Sequence, residues 1–90
     1  NDIVAISIYK ILHKRNISVP EQIQLIGFDD VHLSSLISPE LTTIHQPIEE
    51  MGRKAISIIC DPDGLEKRGK QFVFPVHLIE RETTCMKKPL

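Results

Sequence analysis

The sequence predicts an α/β fold, because helical and extended segments alternate along it. Helical periodicity of apolar residues occurs at residues 1–13 and 47–60, and short apolar or β-branched runs occur at residues 23–28, 41–45 and 71–80. Strands separated by crossovers favour mainly parallel sheets. The chain has 90 residues, 41% of them hydrophobic, and a net charge of −1, so it is at most one small domain and does not bind nucleic acid by net charge.

The first helix is predicted from an apolar stripe, with Asn1 or Asp2 available as its N-cap. The stripe, which we expect to be buried, consists of Val4, Ala5, Ile8, Ile11 and Leu12. Ile3 and Ile6 lie away from this stripe. Their position favours a partner surface, although isolated exposed isoleucines are also common.

The connection after this helix contains Asn16, which suits a left-handed helix end, and Pro20, which forbids a continued helix. The run Ile23 to Phe28 predicts a strand buried on both faces of a parallel sheet. Residues 31–38 are expected to form a short helical turn or loop, and residues 41–45 a second strand.

Pro47 begins the second predicted helix, with Glu49 and Glu50 near the positive end of its dipole. Its predicted buried stripe consists of Ile48, Met51, Ala55, Ile58 and Ile59. Residues 65–70 read as a charged loop, and residues 71–80 as an edge or irregular strand because of Pro75. The residues after Thr84 are expected to fray.

The pair Asp29 and Asp30, directly after the first apolar run, has three possible uses. The carboxylates could start the following turn by capping the amides of residues 31–33. They could bind Mg²⁺, although no other strand end supplies the further acids and lysine that such a site requires. A carboxylate at the carboxyl end of a strand could also accept two hydrogen bonds from a hydroxyl-rich small ligand.

Other chemistry is not indicated by the sequence, and we expect no metal, cofactor or enzymatic activity. Cys60 and Cys85 match neither a zinc nor a CxxC spacing and are expected to be reduced thiols. The four histidines, His13, His32, His45 and His77, fit no ligand motif. No apolar stretch approaches the roughly 18 residues of a membrane span.

Four motifs carry a family resemblance: "ND", "VPEQIQLIGFDD", "SPELTTIHQPIEEMG" and "LIERETT". Their order and spacing resemble the C-terminal part of the effector-binding core of LacI/GalR-family transcriptional repressors, across essentially all of the chain. This core resembles a type I periplasmic sugar-binding protein, with two lobes joined by crossing strands and the effector between them. The resemblance implies a ligand-responsive regulator that binds a sugar or a purine-like effector.

The resemblance also implies site residues. Asn1 and Asp29 correspond to the family positions that contact effector hydroxyls or ring nitrogens, Gln46 lies beside the cleft, and Ile48 occupies an often apolar position. Alternatives are a helix N-cap for Asn1 and hinge hydrogen bonding for Gln46. Asp30 is expected to form a turn rather than contact the ligand.

The implied lobe assignment places residues 1–38 in the C-terminal subdomain, 39–70 in the N-terminal subdomain, and 71–90 in the returning strand and tail. The resemblance implies a dimer interface that includes Ile6 and Ile37. We add Ile3 to this interface because it lies away from the apolar stripe of the first helix. The chain departs from the family at Ser7 and Asn16, where glycine is common.

The chain begins "NDIVAI", without an initiator methionine, so we expect a piece of a longer protein. The family resemblance implies that this protein is cytoplasmic and that a helix-turn-helix N-terminal to these residues contacts operator DNA. A periplasmic or secreted sugar-binding receptor with the same core is the main alternative. The residues preceding Asn1 discriminate the two: a helix-turn-helix indicates a repressor and a signal peptide a receptor.

Overall fold

The computed structural model describes residues 1–61, 69 and 71–85. Along the chain, helix α1 (Asp2–Lys14) is followed by a 3₁₀ helix (His32–Ser35), strand β1 (Thr43–His45), helix α2 (Ile48–Cys60) and strand β2 (His77–Ile79). The predicted α/β class is confirmed. The predicted loop at 65–70 and the tail beyond Thr84 lie outside the described residues, apart from Gly69 and Cys85.

Helix α1 begins where its first amides find a side-chain acceptor. Asn1 is the N-cap, and its Oδ1 accepts a hydrogen bond from the Val4 amide at 2.9 Å. The helix ends ahead of Asn16, whose φ of 58° is left-handed, as the sequence predicts for this residue type.

The predicted buried stripe of α1 is only partly right. Ala5 is buried, but Val4, Ile8 and Ile11 are exposed, and Leu12 is half-buried. Periodicity identifies an apolar face but not what covers it, and the described residues cover this one only at Ala5 and in part at Leu12.

Strand β1 lies between two partners and forms the centre of the first unit. The amides of Gly27 and Asp29 donate to the carbonyls of Thr42 and Ile44, each at 2.9 Å, and the pairing on this side is parallel. On the other side β1 pairs antiparallel with β2, with Thr43 opposite Ile79 and His45 opposite His77. The segment before the acid pair and β1 therefore pair in parallel, as the predicted crossover between them requires. Strand β2 adds an antiparallel edge to β1.

The expectation that residues 23–28 are buried on both faces is wrong for this chain. The segment makes isolated parallel bridges rather than a regular strand, and the side chains of Ile23, Ile26 and Phe28 are exposed, Ile26 to 58%. Backbone pairing with β1 fixes the path of the segment, while its apolar side chains stay uncovered by the described residues.

The buried residues of the first unit are mostly polar. They include Leu41 and Ala5 together with Asp2, Ser34, Thr42, Thr43 and Thr83. Among the described residues, no buried side-chain nitrogen or oxygen lacks a hydrogen-bond partner. Thr83 illustrates how this is achieved, because its Oγ1 donates to the Leu25 carbonyl at 2.8 Å and accepts from the Thr42 amide at 2.9 Å.

Helix α2 begins at Ile48 after Pro47, and Glu49 and Glu50 occupy its first turn, as predicted. Its predicted buried stripe is wrong for this chain, since none of its residues is buried and Ile59 is 81% exposed. Lys54 Nζ lies 4.6 Å from the ring centroid of Phe72 in the same unit.

The chain divides into two compact units, Asn1–His45 with His77–Leu90, and Gln46–Val76. It passes from one to the other at His45–Gln46 and returns at Val76–His77. The assignment of residues 1–38, 39–70 and 71–90 to lobes of a larger core stays a prediction. No helix in the described part of the chain is long and apolar enough to cross a membrane.

Candidate functional site

The acid pair lies at the carboxyl end of the segment that runs parallel to β1. Both residues have positive φ, 123° at Asp29 and 58° at Asp30. L-residues rarely adopt these conformations. Aspartate tolerates the left-handed φ of Asp30 better than most residues because its short side chain can hydrogen-bond locally, but the φ of Asp29 lies outside that region. Side chains and backbone from elsewhere must therefore hold this turn in place.

Asp30 is held by charged and polar groups from two strand ends. Its Oδ1 accepts from Arg81 Nη2 at 2.8 Å, and its Oδ2 lies 2.9 Å from His45 Nδ1. Its amide donates to Thr43 Oγ1 at 3.2 Å. The side chains of Asp30 and Arg81 are only 16% and 15% exposed, so this ion pair is shielded from water.

The pKa of the Asp30 carboxyl reflects these contacts. Burial raises it, but the hydrogen bonds and charges of Arg81 and His45 outweigh burial and lower the pKa below its ordinary value. Asp30 is therefore an ionised anchor. The expectation that it merely forms a turn is incomplete, since it also joins residues far apart in sequence.

Asp2, which the sequence marks only as a possible N-cap, is a central residue of the first unit. Its side chain is fully buried. Its Oδ2 accepts from the Val31 amide at 2.8 Å and from Ser34 Oγ at 2.6 Å, and its Oδ1 accepts from Thr43 Oγ1 at 2.6 Å. The Val31 amide is thus capped by Asp2, not by the acid pair as one interpretation held.

Burial raises the pKa of Asp2, but hydrogen bonds from Ser34, Thr43 and the backbone at Val31 and Phe28 outweigh it and lower the pKa. The first turn of α1 is thereby fixed to the turn that follows the acid pair.

The four predicted effector residues divide between the two units. Asn1 and Asp29 belong to the first, and Gln46 and Ile48 to the second. Asn1 is exposed and caps α1 through Oδ1, so its amide NH₂ is the group left for ligand contact. Asp29 is half-buried, and its amide is paired with Ile44.

In the second unit, the Gln46 carbonyl accepts from the Ile48 amide at 2.8 Å, and Ile48 is exposed in the first turn of α2. The roles of all four residues stay predictions.

An open cavity of about 480 Å³ lies elsewhere on the first unit. Its lining includes Gln24, Thr42, Glu80 and Arg81, and Arg81 alone belongs to the Asp30 anchor. Asn1 and Asp29 are not among its described lining residues. This cavity therefore gives no support to the predicted effector site.

Metal chemistry gains no support from the geometry. The described residues hold no group of three or more histidine, cysteine, aspartate or glutamate side chains arranged to bind a metal ion. One member of the acid pair, Asp30, is already paired with a guanidinium group. Cys60 and Cys85 are free thiols, as predicted.

The α/β architecture, with an acidic turn at the carboxyl end of a parallel pairing, is that of a periplasmic-binding-protein-like domain. The chain belongs to the periplasmic binding protein-like domain family, which matches residues 1–84. The predicted resemblance to the effector-binding core of LacI/GalR-family regulators is confirmed.

Three similar proteins illustrate the relationship. The ribose operon repressor of Escherichia coli K12 is 44% identical over 59 residues, which cover 66% of this chain and 18% of that protein. A LacI-type regulator of Alkaliphilus metalliredigens, solved with D-xylulofuranose, is 38% identical to this chain with a TM-score of 0.81. The match covers 96% of this chain and 33% of the regulator's chain.

A LacI-family regulator of Enterococcus faecium, solved with bound ribose, is 32% identical to this chain with a TM-score of 0.79. The match covers 98% of this chain and 33% of the regulator's chain. The chain thus spans a third or less of the length of each of these relatives.

Proposed function

We propose that this chain is part of the effector-binding core of a LacI/GalR-type transcriptional repressor and that Asp29 binds the effector. The acidic turn carries the proposal: two consecutive aspartates with positive φ are held at the carboxyl end of a parallel pairing. Backbone conformations of this kind cluster at ligand sites, and ligands of α/β sheets bind at this end of the strands.

A small sugar is the favoured effector. The three relatives described above are a ribose operon repressor and two regulators solved with five-carbon sugars. A carboxylate accepts hydrogen bonds from two neighbouring hydroxyls, and such charge-assisted bonds are stronger than neutral ones. On the family resemblance, we propose that Asn1, Gln46 and Ile48 also contact the effector. A purine-like effector is the alternative to a sugar.

Regulation in this proposal needs no chemical reaction, so the protein is not an enzyme. An effector with different affinities for two arrangements of the core shifts their populations by that difference. A cytoplasmic homodimer, formed through Ile3, Ile6 and Ile37, passes the shift to operator-binding segments N-terminal to these residues. A signal peptide in the natural polypeptide, in place of a DNA-binding segment, would indicate a secreted receptor instead.

The test is an isothermal titration of the natural polypeptide that carries this sequence with D-ribose, D-glucose and hypoxanthine. We expect D-ribose to bind, and Asp29→Ala to raise its Kd by roughly 10- to 100-fold, because a charge-assisted hydrogen bond contributes about 1.5–3 kcal/mol.

Glu21→Ala is the matched control, because it removes an exposed carboxylate from the same unit, and its Kd should not change. An unchanged Kd in Asp29→Ala would remove Asp29 from the site. Binding of hypoxanthine alone would replace the sugar with a purine.

A further inference from the structure

Asp30, the second residue of the acidic turn, has more partners than a turn former needs. Three groups of the first unit converge on it: Arg81 and His45 at its two carboxylate oxygens and Thr43 Oγ1 at its amide. His45 and Thr43 are both in β1, and Arg81 follows β2. The turn is therefore tied to both strands of the sheet.

The groups that hold Asp30 are themselves held. Arg81 Nη1 donates to the Leu41 carbonyl at 3.0 Å, and the Arg81 amide donates to Thr42 Oγ1 at 2.8 Å. Thr43 Oγ1, which accepts from the Asp30 amide, donates to the buried Asp2 carboxylate. Each group that holds Asp30 thus belongs to β1 or is itself hydrogen-bonded to a buried residue. Such secondary contacts fix the orientation of a binding side chain.

Asp29 and Asp30 share a peptide bond, and both have positive φ. A conformation this uncommon persists only where the surroundings impose it. Because the Asp29 amide is itself paired with the Ile44 carbonyl, the anchor on Asp30 fixes the other end of the same two-residue unit. The contacts of Asp30 therefore help to fix the direction in which the Asp29 side chain leaves the backbone.

We infer that Asp30, through its pairing with Arg81 and His45, is a positioning residue that preorganises Asp29 for effector binding. This inference rests on the proposed function and assigns Asp30 and Arg81 a role in ligand affinity without ligand contact. The lowered pKa of the Asp30 carboxyl, caused by Arg81 and His45 against the opposing effect of burial, keeps the anchor charged at neutral pH.

The test compares three variants in the natural polypeptide by titration with D-ribose. Asp30→Gly adopts positive φ freely but has no carboxylate, so we expect Kd to rise about tenfold through lost preorganisation. Asp30→Asn tolerates the same backbone and keeps an oxygen for Arg81 but loses the charge, so Kd should rise by less than in Asp30→Gly. Arg81→Lys keeps the charge but not the planar fork that reaches both Asp30 and Leu41, so we expect an intermediate loss.

Asn16→Gly is the matched control. Asn16 has the same φ of 58°, but it lies at the end of α1, where its amide bonds locally to the His13 carbonyl. Its Kd should equal that of the unaltered protein. The melting temperature is measured alongside, because a purely structural role for Asp30 would lower it in Asp30→Gly without changing Kd in the folded protein.

The outcomes separate the inference from the proposed function. A wild-type Kd in Asp30→Gly, with a raised Kd in Asp29→Ala, overturns the positioning role and leaves Asp29 as ligand. A wild-type Kd in Asp29→Ala overturns both, and so does a lack of binding of D-ribose, D-glucose and hypoxanthine alike by the unaltered protein. If Asp30→Gly does not fold, an unchanged Kd in Arg81→Lys overturns the positioning role.

Discussion

Asp2 is a fully buried carboxylate that receives hydrogen bonds from the Val31 amide and from the hydroxyls of Ser34 and Thr43. A buried charge is tolerated only when it is paired or well hydrogen-bonded. Its donors, Val31, Ser34 and Thr43, are separated from it by 29 to 41 positions in sequence. It therefore stabilises the packing of α1 against the remainder of the first unit.

Asp2→Asn should alter both stability and its dependence on pH. The pKa of Asp2 is lower in the folded than in the unfolded chain, so its stabilising contribution is present above the unfolded value of about 3.8 and is lost as pH falls through the folded value. We expect the variant to lose about 1–3 kcal/mol at pH 7.

The variant should also lose less stability than the wild type on acidification below about pH 4. Urea unfolding between pH 2 and pH 7 measures both effects. Glu21→Gln, which neutralises an exposed acid, is the control and should follow the wild type. If the free energy of unfolding fell equally with decreasing pH in Asp2→Asn and in the wild type, the stabilising role of the ionised Asp2 carboxylate would be contradicted.

Sequence reasoning found the acidic turn but not the groups that hold it. "GFDD" after an apolar run marks a carboxylate at a strand end, and this is legible locally. The partner of Asp30, Arg81, is 51 positions away and resembles any charged residue after a strand. No local signal predicts this pairing, because it arises only when the two strand ends meet.

At the scale of elements, α1 and the extended segment before the acidic turn approach each other closely at Gly27. A Cβ added to Gly27 would overlap Asp2 Oδ1 and lie 2.9 Å from Leu41 Cδ2. Both neighbours are side chains of fully buried residues, so neither can move without disturbing its own contacts.

Gly27→Ala should therefore destabilise the chain by about 1–3 kcal/mol through overpacking. Gly52→Ala is its control, because Gly52 lies within α2 and, apart from its chain neighbours and the backbone of its own helix, nothing lies within 4 Å of the added Cβ. That substitution should stabilise the chain by about 0.5–1 kcal/mol, since alanine favours helix over glycine. Thermal unfolding of the two variants checks both signs, and equal effects would show that Gly27 has no packing role.

Both helices were located from periodicity, and their starts follow from local chemistry at Asn1 and Pro47. The burial of their apolar faces was not predicted correctly. Ile11 of α1 and Ile59 of α2 are both exposed although each belongs to a predicted buried stripe. An apolar stripe reports a preference for burial, whereas its partner must come from another part of a folded molecule.

At the scale of the whole molecule, many large apolar side chains of the described residues are exposed, on α1, on α2 and on the extended segments. Exposed apolar surface of this extent is typical of interfaces. Of the three residues predicted to form a dimer interface, Ile3 is 54% exposed, whereas Ile6 and Ile37 are half-buried. Ile3 is thus the most accessible position at which to test self-association.

We expect the chain to self-associate through the face that contains Ile3. Ile3→Ser should raise the dissociation constant of the dimer by at least about tenfold, because burying an isoleucine contributes roughly 1.5–3 kcal/mol. Sedimentation equilibrium over a range of concentrations measures this. Ile59→Ser is the control, because it removes an isoleucine that is 81% exposed in the other unit. A monomeric unaltered chain, or equal shifts in both variants, would contradict the predicted interface.

The amino-acid sequence by itself determined the α/β class, the two helices, the extended segments and the family, because periodicity, caps, prolines and motif spacing are local properties. The tertiary structure alone decided that Asp2 and Asp30 are the hydrogen-bonded centres of the first unit and which apolar faces stay exposed. The physical reason is that a buried charge is stabilised by donors from distant segments, and their convergence exists only once the backbone has brought β1, β2 and α1 together.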